Sequence, residues 1–127
     1  MVAYEDDFLL IIDKPAGMLV HPTVSQWEGT LYDLVKDYYT YKGITADIHP
    51  VSRLDKNTSG LLVIAKTPNA KTKLGLQFFN KPTSRRYNAL VWGDFDSNEG
   101  RIEGNIGRDP KDRLRMAVCE PGPDKGK

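Results

Sequence analysis

The sequence has few of the side chains that bind metals or form disulfides. Its 127 residues include one cysteine, Cys119, and two histidines, His21 and His49. A single cysteine excludes an internal disulfide framework and is typical of a reducing compartment, so we expect a cytoplasmic protein. These three residues lack zinc-ligand spacing, and both histidines stand beside proline in expected turns. The sequence therefore predicts no metal site.

Long apolar runs are also missing. Even runs such as residues 61–65 are far shorter than the roughly 20 residues that span a bilayer. Residues 1–14 have an acidic lead and a short apolar core, whereas a signal peptide has a basic start and a longer apolar stretch. We therefore expect no membrane partner. A composition of 39% hydrophobic and 28% charged residues is that of a globular chain, one domain or part of one.

The net charge of +1 hides an uneven distribution along the chain. Residues 1–48 carry 3 basic and 8 acidic side chains, residues 49–86 carry 8 and 1, and residues 87–127 carry 7 and 8. The middle segment, at 8 − 1 = +7, favours an anionic partner. Its single acid is Asp55.

Apolar periodicity predicts an α+β fold with a mixed, mostly antiparallel sheet and flanking helices. The first helix runs over 31–41, between a Thr30–Asp33 capping box and Gly43, and the second runs from Pro68 to about Asn80 after the cap residue Thr67. The predicted strands cover residues 8–13, 18–21, 59–67, 84–95, 100–106 and 115–120.

The central stretch RLDKNTSG draws attention to Asp55 as a chemical group. In an extended chain Arg53 and Asp55 point to one side, and a cation within about 4–6 Å favours the ionised carboxylate. Such an aspartate can act as a nucleophile or a base. The alternative is a surface turn in which Asp55, Thr58 and Ser59 cap the backbone amides of the loop.

Four segments resemble, in the same order, the large family of RNA pseudouridine synthases of the RluA/RluD type. RLDKNTSGLLVIAK (residues 53–66) resembles the family signature. The others are DKPAGMLVHP (13–22), LGLQFFNKPTSRRYNALVWG (74–93) and GRIEGNIGRDPKDRLRMAV (100–118). The resemblance covers nearly the whole chain.

The resemblance implies that the chain isomerises uridine to pseudouridine in ribosomal or transfer RNA, without cofactor or metal. It makes Asp55 the essential catalytic residue, lets Arg53 enter the space of the flipped uridine, and places Tyr87 against the flipped base, where it helps to remove the C5 proton. Basic residues around these positions are then expected to contact RNA phosphates. They are Arg53, Lys56, Lys81, Arg85 and Arg86, and Lys66 flanks the far end of the central motif.

Two departures from the family pattern qualify the expectation. Ser52 stands where the family usually has histidine, which affects local packing or substrate choice. Family catalytic domains also continue beyond the equivalent of residue 127, with a basic residue that pairs with the aspartate and apolar residues that line the uracil pocket. We therefore expect residues 1–127 to be the N-terminal portion of a catalytic domain, without an S4-like RNA-binding module.

Such a fragment is expected to have little or no activity by itself. It is also expected to expose an unpaired sheet edge, which invites self-association. The alternatives are a non-catalytic RNA-binding fragment and, more distantly, a sugar-active hydrolase that uses Asp55.

Overall fold

The first of two structural units, Met1–Tyr87, is built around a four-stranded sheet. This computed structural model describes residues 1–80 and 83–119. The strands are β1 (Val2–Glu5), β2 (Leu9–Lys14), β3 (His49–Pro50) and β4 (Gly60–Ala65), in the spatial order β1-β2-β4-β3. All three pairings are antiparallel. With the two helices below, they confirm the predicted α+β class.

Both predicted helices are present. Helix α1 (Leu31–Lys42) begins at Thr30, whose N–H and hydroxyl donate to Oδ2 of Asp33 at 3.0 and 2.8 Å, and ends at Gly43 with φ of 65°. Helix α2 (Pro68–Phe79) begins where the Thr67 hydroxyl accepts a hydrogen bond from the Ala70 N–H at 3.1 Å. Neither described helix has the length and apolar content that crossing a membrane requires.

One face of the sheet forms the core with α1. Leu10 and Ile12 of β2 and Leu62 and Ile64 of β4 are buried because alternate residues of a strand point to the same face. The matching residues of α1 recur every four positions: Leu31, Val35 and Tyr39. Burying each large apolar side chain contributes about 1.5–3 kcal/mol, so these residues hold β2, β4 and α1 together.

The predicted strand over residues 18–21 is wrong. The carbonyl groups of Leu19 and Val20 accept hydrogen bonds from the N–H groups of Leu31 and Tyr32, at 2.8 and 3.1 Å. The first N–H groups of a helix have no partner inside the helix. The segment therefore satisfies the start of α1 instead of pairing with a strand.

The predicted strand over residues 84–95 is also wrong. An alternating pattern forms a strand only where a neighbour accepts its backbone hydrogen bonds, and no segment in the described part of the chain pairs with it. Its large side chains are instead exposed.

The second unit, Asn88–Lys127, contains a hairpin of β5 (Asn105–Arg108) and β6 (Met116–Cys119) in its described part. Strand β6 confirms the strand predicted over 115–120, of which Glu120 lies outside the described residues. The strand predicted over 100–106 begins only at Asn105. Ile106 and Val118 remain 71% and 76% exposed, so this hairpin lacks a core comparable to that of the first unit.

A buried ion pair ties β1 to the end of β4 and to α1. Lys66 is only 9% exposed, and its Nζ donates to Glu5 Oε1 at 2.9 Å and to the Asp6 carbonyl at 2.8 Å. The Tyr38 hydroxyl donates to Glu5 Oε2 at 2.7 Å. Lys66 is therefore part of the core, which corrects its expected role in RNA contact. Burial raises the pKa of Glu5, but the hydrogen bonds from Lys66 and Tyr38 outweigh it and lower that pKa.

Because the pKa of Glu5 is lowered in the folded protein, its contribution to stability depends on pH. Since the folded pKa lies below the ordinary value, the stabilisation is complete above the ordinary pKa and is lost as the pH falls through the folded one. We expect Glu5→Gln to lower the free energy of unfolding at neutral pH by about 1–3 kcal/mol and to reduce the further loss in acid. Urea unfolding at neutral pH and at about pH 3 measures both effects. Glu28→Gln, at an exposed position, is the control. An acid sensitivity equal to that of the wild type would contradict the prediction.

Candidate active site

Two loops meet at one end of the β2–β4 pair. In the strand register Lys14, the last residue of β2, lies opposite Gly60, the first residue of β4. The turn after β2 therefore lies beside the loop that precedes β4. The Gly17 N–H joins them by donating to the Lys56 carbonyl at 2.8 Å. Gly17 has φ of 85°, a conformation that glycine adopts without the penalty of a side chain.

Lys14 is fully buried beneath these loops and is not among the predicted site residues. Its Nζ donates to the carbonyl groups of Pro15, Met18 and Lys56 at 3.0, 2.9 and 3.2 Å. The ammonium group has three protons, so it matches these three acceptors. Burial lowers the pKa of Lys14, while the nearby Asp55 carboxylate offsets part of that effect.

A sequence signal for Lys14 did exist. Leu10, Ile12 and Lys14 are spaced two apart in one strand, so all three point to the same face. The alternation that identifies Leu10 and Ile12 as core residues therefore predicts a buried lysine at position 14, and a buried cation needs polar partners.

Asp55 presents a carboxylate that the described structure does not use. Leu54 packs against the core, whereas Arg53 and Asp55 on either side of it are exposed. The Asp55 carbonyl accepts a hydrogen bond from the Thr58 N–H at 3.1 Å and closes a turn. The side-chain oxygens of Asp55 form no hydrogen bond or ion pair with any described residue.

This geometry bears on two of the expectations for Asp55. Capping of the loop by the Asp55 side chain is not observed, since the turn uses the backbone carbonyl. An ion pair between Arg53 and Asp55 is likewise absent from the ion pairs of residues 1–80 and 83–119. The cation whose pKa responds to Asp55 is Lys14. Asp55 and Arg53 thus share an exposed loop, and the side chains of both lack a hydrogen bond or ion pair with the described residues.

Lys56 connects this turn to a third segment. Its Nζ donates to Gln26 Oε1 at 3.2 Å. Thr23 and Gln26 exchange two backbone hydrogen bonds of 2.9 and 3.1 Å, which close a tight turn. This exposed hydrogen bond therefore links the segment from Thr23 to Gln26 to the loop that carries Asp55.

The other predicted RNA-binding residues lie on the segment that follows α2. Arg85, Arg86 and Tyr87 are exposed, with Tyr87 at 62%. The Arg85 guanidinium lies 5.5 Å from the centre of the Phe78 ring, which holds it against α2. Lys81 lies outside the described residues. The structure brings Arg53, Asp55 and Lys56 together in one loop and places Arg85, Arg86 and Tyr87 on a separate segment.

The described residues contain no cluster of three or more His, Cys, Asp or Glu side chains suited to a metal ion. His49 lies in β3 rather than in the predicted turn, with its Nε2 at 3.4 Å from Asp47 Oδ2. It belongs to an edge strand and not to the loops around Asp55.

The sequence identifies the family to which these loops belong. Residues 8–126 match the model of the family described as RNA pseudouridylate synthase. The chain belongs to the RNA pseudouridylate synthase family, and relatives named ribosomal large subunit pseudouridine synthase D confirm the RluA/RluD-type resemblance.

Three curated relatives give the extent of the match. "Ribosomal large subunit pseudouridine synthase D" of Nitrosomonas europaea is 42% identical over 95% of this chain and 35% of its own length. "Uncharacterized RNA pseudouridine synthase YlyB" of Bacillus subtilis is 41% identical over 95% and 41%. The synthase D of Pseudomonas aeruginosa is 41% identical over 95% and 38%. The chain thus spans 35% to 41% of the length of these relatives.

A solved structure agrees with this placement. "Human RNA Pseudouridylate Synthase Domain Containing 4" superposes with a TM-score of 0.51 at 26% identity. The alignment covers 63% of this chain and 30% of the human one. The α+β fold described above is therefore consistent with part of the fold of that protein.

Replacing Lys14 tests whether its hydrogen bonds stabilise the loop that carries Asp55. Lys14→Met keeps the apolar stem but leaves the carbonyls of Pro15, Met18 and Lys56 without the ammonium donor. We expect the free energy of unfolding to fall by about 1–3 kcal/mol and the Gly17 amide to exchange faster with solvent. Urea unfolding and hydrogen exchange measure these changes. Lys73→Met, at an exposed position of α2, is the matched control. A Lys14 variant as stable and as protected as this control would contradict the assignment.

Proposed function

We propose that this chain carries the catalytic aspartate of an RNA pseudouridine synthase that isomerises specific uridines to pseudouridine. The observation that carries the proposal is the Asp55 carboxylate, which is exposed, has no hydrogen bond or ion pair with the described residues, and lies on a turn anchored by buried Lys14. Family membership supports RNA as the substrate class. The names of the relatives from N. europaea and P. aeruginosa refer to the ribosomal large subunit, which favours ribosomal over transfer RNA.

The reaction is an isomerisation and is balanced without a co-reactant. The bond between C1′ and N1 breaks, the uracil rotates, and a bond forms between C1′ and C5. C5 loses its proton and N1 gains one, so no oxidant, reductant or cofactor enters. An ionised Asp55 can serve three routes: attack on C1′, addition to C6 of uracil, or removal of a sugar proton on a route through a glycal.

Arg53 and Tyr87 act on the flipped nucleotide in this proposal. Chemistry at C1′ and C5 requires the base to leave the stack, which costs a few kcal/mol. Arg53 is exposed and forms no ion pair with the described residues, so it is available to occupy the vacated space. Tyr87 packs against the uracil and helps to remove the C5 proton.

Basic side chains supply the attraction to RNA. The segment 49–86 has a net charge of 8 − 1 = +7, and we propose that Lys56, Lys81, Arg85 and Arg86 contact phosphates. Binding through phosphates releases counterions and weakens as salt rises. The low cysteine content favours a cytoplasmic location for the same protein.

A second candidate is RNA binding without chemistry. It is favoured by the finding that the chain spans only 35% to 41% of the length of its curated relatives. In this candidate residues 1–127 are the N-terminal portion of a catalytic domain and dock RNA through the basic segment, while the remaining groups of the site come from elsewhere.

Tritium release from RNA labelled at C5 of uridine tests the first candidate and separates it from the second. We expect Asp55→Ala to reduce release by at least about 1,000-fold, since the essential group is lost. Asp37→Ala, which removes an exposed carboxylate from α1, should leave release unchanged. RNA binding with no release, even at enzyme excess, would select the second candidate. Release that survives Asp55→Ala would overturn the role of Asp55.

We also propose that the chain self-associates through the free edge of β1. This strand pairs only with β2 within the described residues, and its Val2 and Tyr4 are 45% and 52% exposed. Lysine on an edge strand disfavours pairing with another chain, so we expect Val2→Lys to raise the monomer fraction. Light scattering over a concentration series measures this fraction. Leu76→Lys, a similar change on α2, is the control, and a wild-type chain that is monomeric throughout would rule the proposal out.

A further inference from the structure

A large exposed aromatic side chain lies next to the segment that is linked to the Asp55 loop. Trp27 is 70% exposed and has no hydrogen bond, ring contact or ion pair with any residue that the structure describes. It directly follows Gln26, the acceptor of the Lys56 ammonium at 3.2 Å. Lys56 in turn directly follows Asp55.

The backbone before Trp27 is held rather than loosely attached. Two hydrogen bonds between Thr23 and Gln26, of 2.9 and 3.1 Å, close the turn on one side. On the other side, the buried residue Thr30 is the N-cap of α1. An aromatic group on a short segment held at both ends loses little conformational freedom when it binds a ligand. Trp27 is therefore an exposed ring on a restrained segment that is linked to the Asp55 loop through Gln26 and Lys56.

We propose that Trp27 is a stacking platform for an unpaired RNA base next to the target uridine. This inference rests on the proposed function, because base extrusion is what leaves a neighbouring base without its stacking partner. An exposed aromatic ring can take up the face of such a base whatever its identity. Stacking on Trp27 then offsets part of the cost of flipping.

Two exposed cations on the neighbouring Asp55 loop favour RNA as the occupant of this surface. Arg53 and Lys56 flank Asp55 and are exposed on the loop to which Gln26 is hydrogen-bonded. An aromatic side chain beside a basic surface is the combination with which proteins hold single-stranded nucleic acid. The cations attract phosphates, and the indole face supplies the apolar contact.

The fluorescence of Trp27 tests the proposal directly in the 127-residue chain. The sequence has two tryptophans, Trp27 and Trp92, so Trp92→Phe leaves Trp27 as the only indole. A uridine-containing stem-loop RNA is titrated against this variant, and an abasic oligomer with the same number of phosphates is the ligand control. We expect the RNA to quench Trp27 fluorescence and the abasic oligomer to leave it unchanged.

Affinity gives the second measurement. One base stacked on an aromatic side chain is worth about a 5- to 150-fold change in Kd, so we expect Trp27→Ala to weaken binding of the stem-loop within that range. Trp27→Phe should retain most of the affinity. Tyr41→Ala removes an aromatic residue that is 86% exposed on α1 and should leave Kd unchanged. Circular dichroism establishes that each variant is folded.

The outcomes separate this inference from the proposed function. RNA that binds without quenching Trp27, together with an unchanged Kd for Trp27→Ala, would overturn the stacking role even if tritium release is normal. Quenching and weakened binding without release in any assay would support the stacking role and reject the chemistry. If no RNA binds at all, the stacking role is rejected with it.

Discussion

The arrangement around Asp55 depends on one buried cation. The Lys14 ammonium holds the carbonyls of Pro15, Met18 and Lys56, which belong to two loops far apart in sequence. A buried charge is tolerated only with polar partners, so the strand that brings Lys14 into the core also forces the two loops to present their carbonyls to it. The position of the Asp55 turn follows from the register of β2 and β4.

The two buried lysines and the exposed charged groups have different roles for a physical reason. Lys14 and Lys66 donate to carbonyls and to the Glu5 carboxylate, so the fold already uses their donors. Arg53 and Asp55 lie on the outer side of a loop whose inner residue, Leu54, packs against the core. The burial of Leu54 fixes the orientation of its neighbours while leaving their side chains without a hydrogen bond or ion pair among the described residues. A positioned but unpartnered carboxylate is what proton transfer or nucleophilic attack requires.

Local patterns in the sequence predicted much of this. Thr30, Gly43 and Thr67 marked the helix ends because capping depends on neighbours only a few residues away. In the first unit β2 and β4 were predicted because their apolar runs are short and continuous, whereas β1 and β3 were not predicted. Residues 18–21 and 84–95 were predicted wrongly because a strand is defined by its partner. The carbonyl groups of Leu19 and Val20 instead accept hydrogen bonds from the N-terminus of α1.

The motif of the site could be predicted from the sequence, but the hydrogen bonds that hold its loops in place could not. The exposed side of the Arg53–Asp55 stretch followed from the two-residue period of an extended chain, since Leu54 is apolar. The hydrogen bond from Lys14 to the Lys56 carbonyl and the link from Lys56 to Gln26 could not be predicted, because they join residues 42 and 30 positions apart. Lys66 shows the converse error. The charge count suggested that Lys66 belongs to a basic surface. Lys66 instead follows Leu62 and Ile64 at two-residue spacing and is buried beside Glu5.

The two units differ in how much apolar surface their own described residues bury. The first unit buries a cluster that includes Leu10, Leu31 and Ile64, so it defines the Asp55 turn by itself. A two-stranded hairpin is at best marginally stable alone, and the hairpin of the second unit leaves Ile106 and Val118 largely exposed. Tyr87 stands at the last position of the first unit, in a segment without a strand partner among the described residues. The half of the proposed site that holds the aspartate is therefore supported by the core of the first unit, whereas Tyr87 is 62% exposed and has no such support among the described residues.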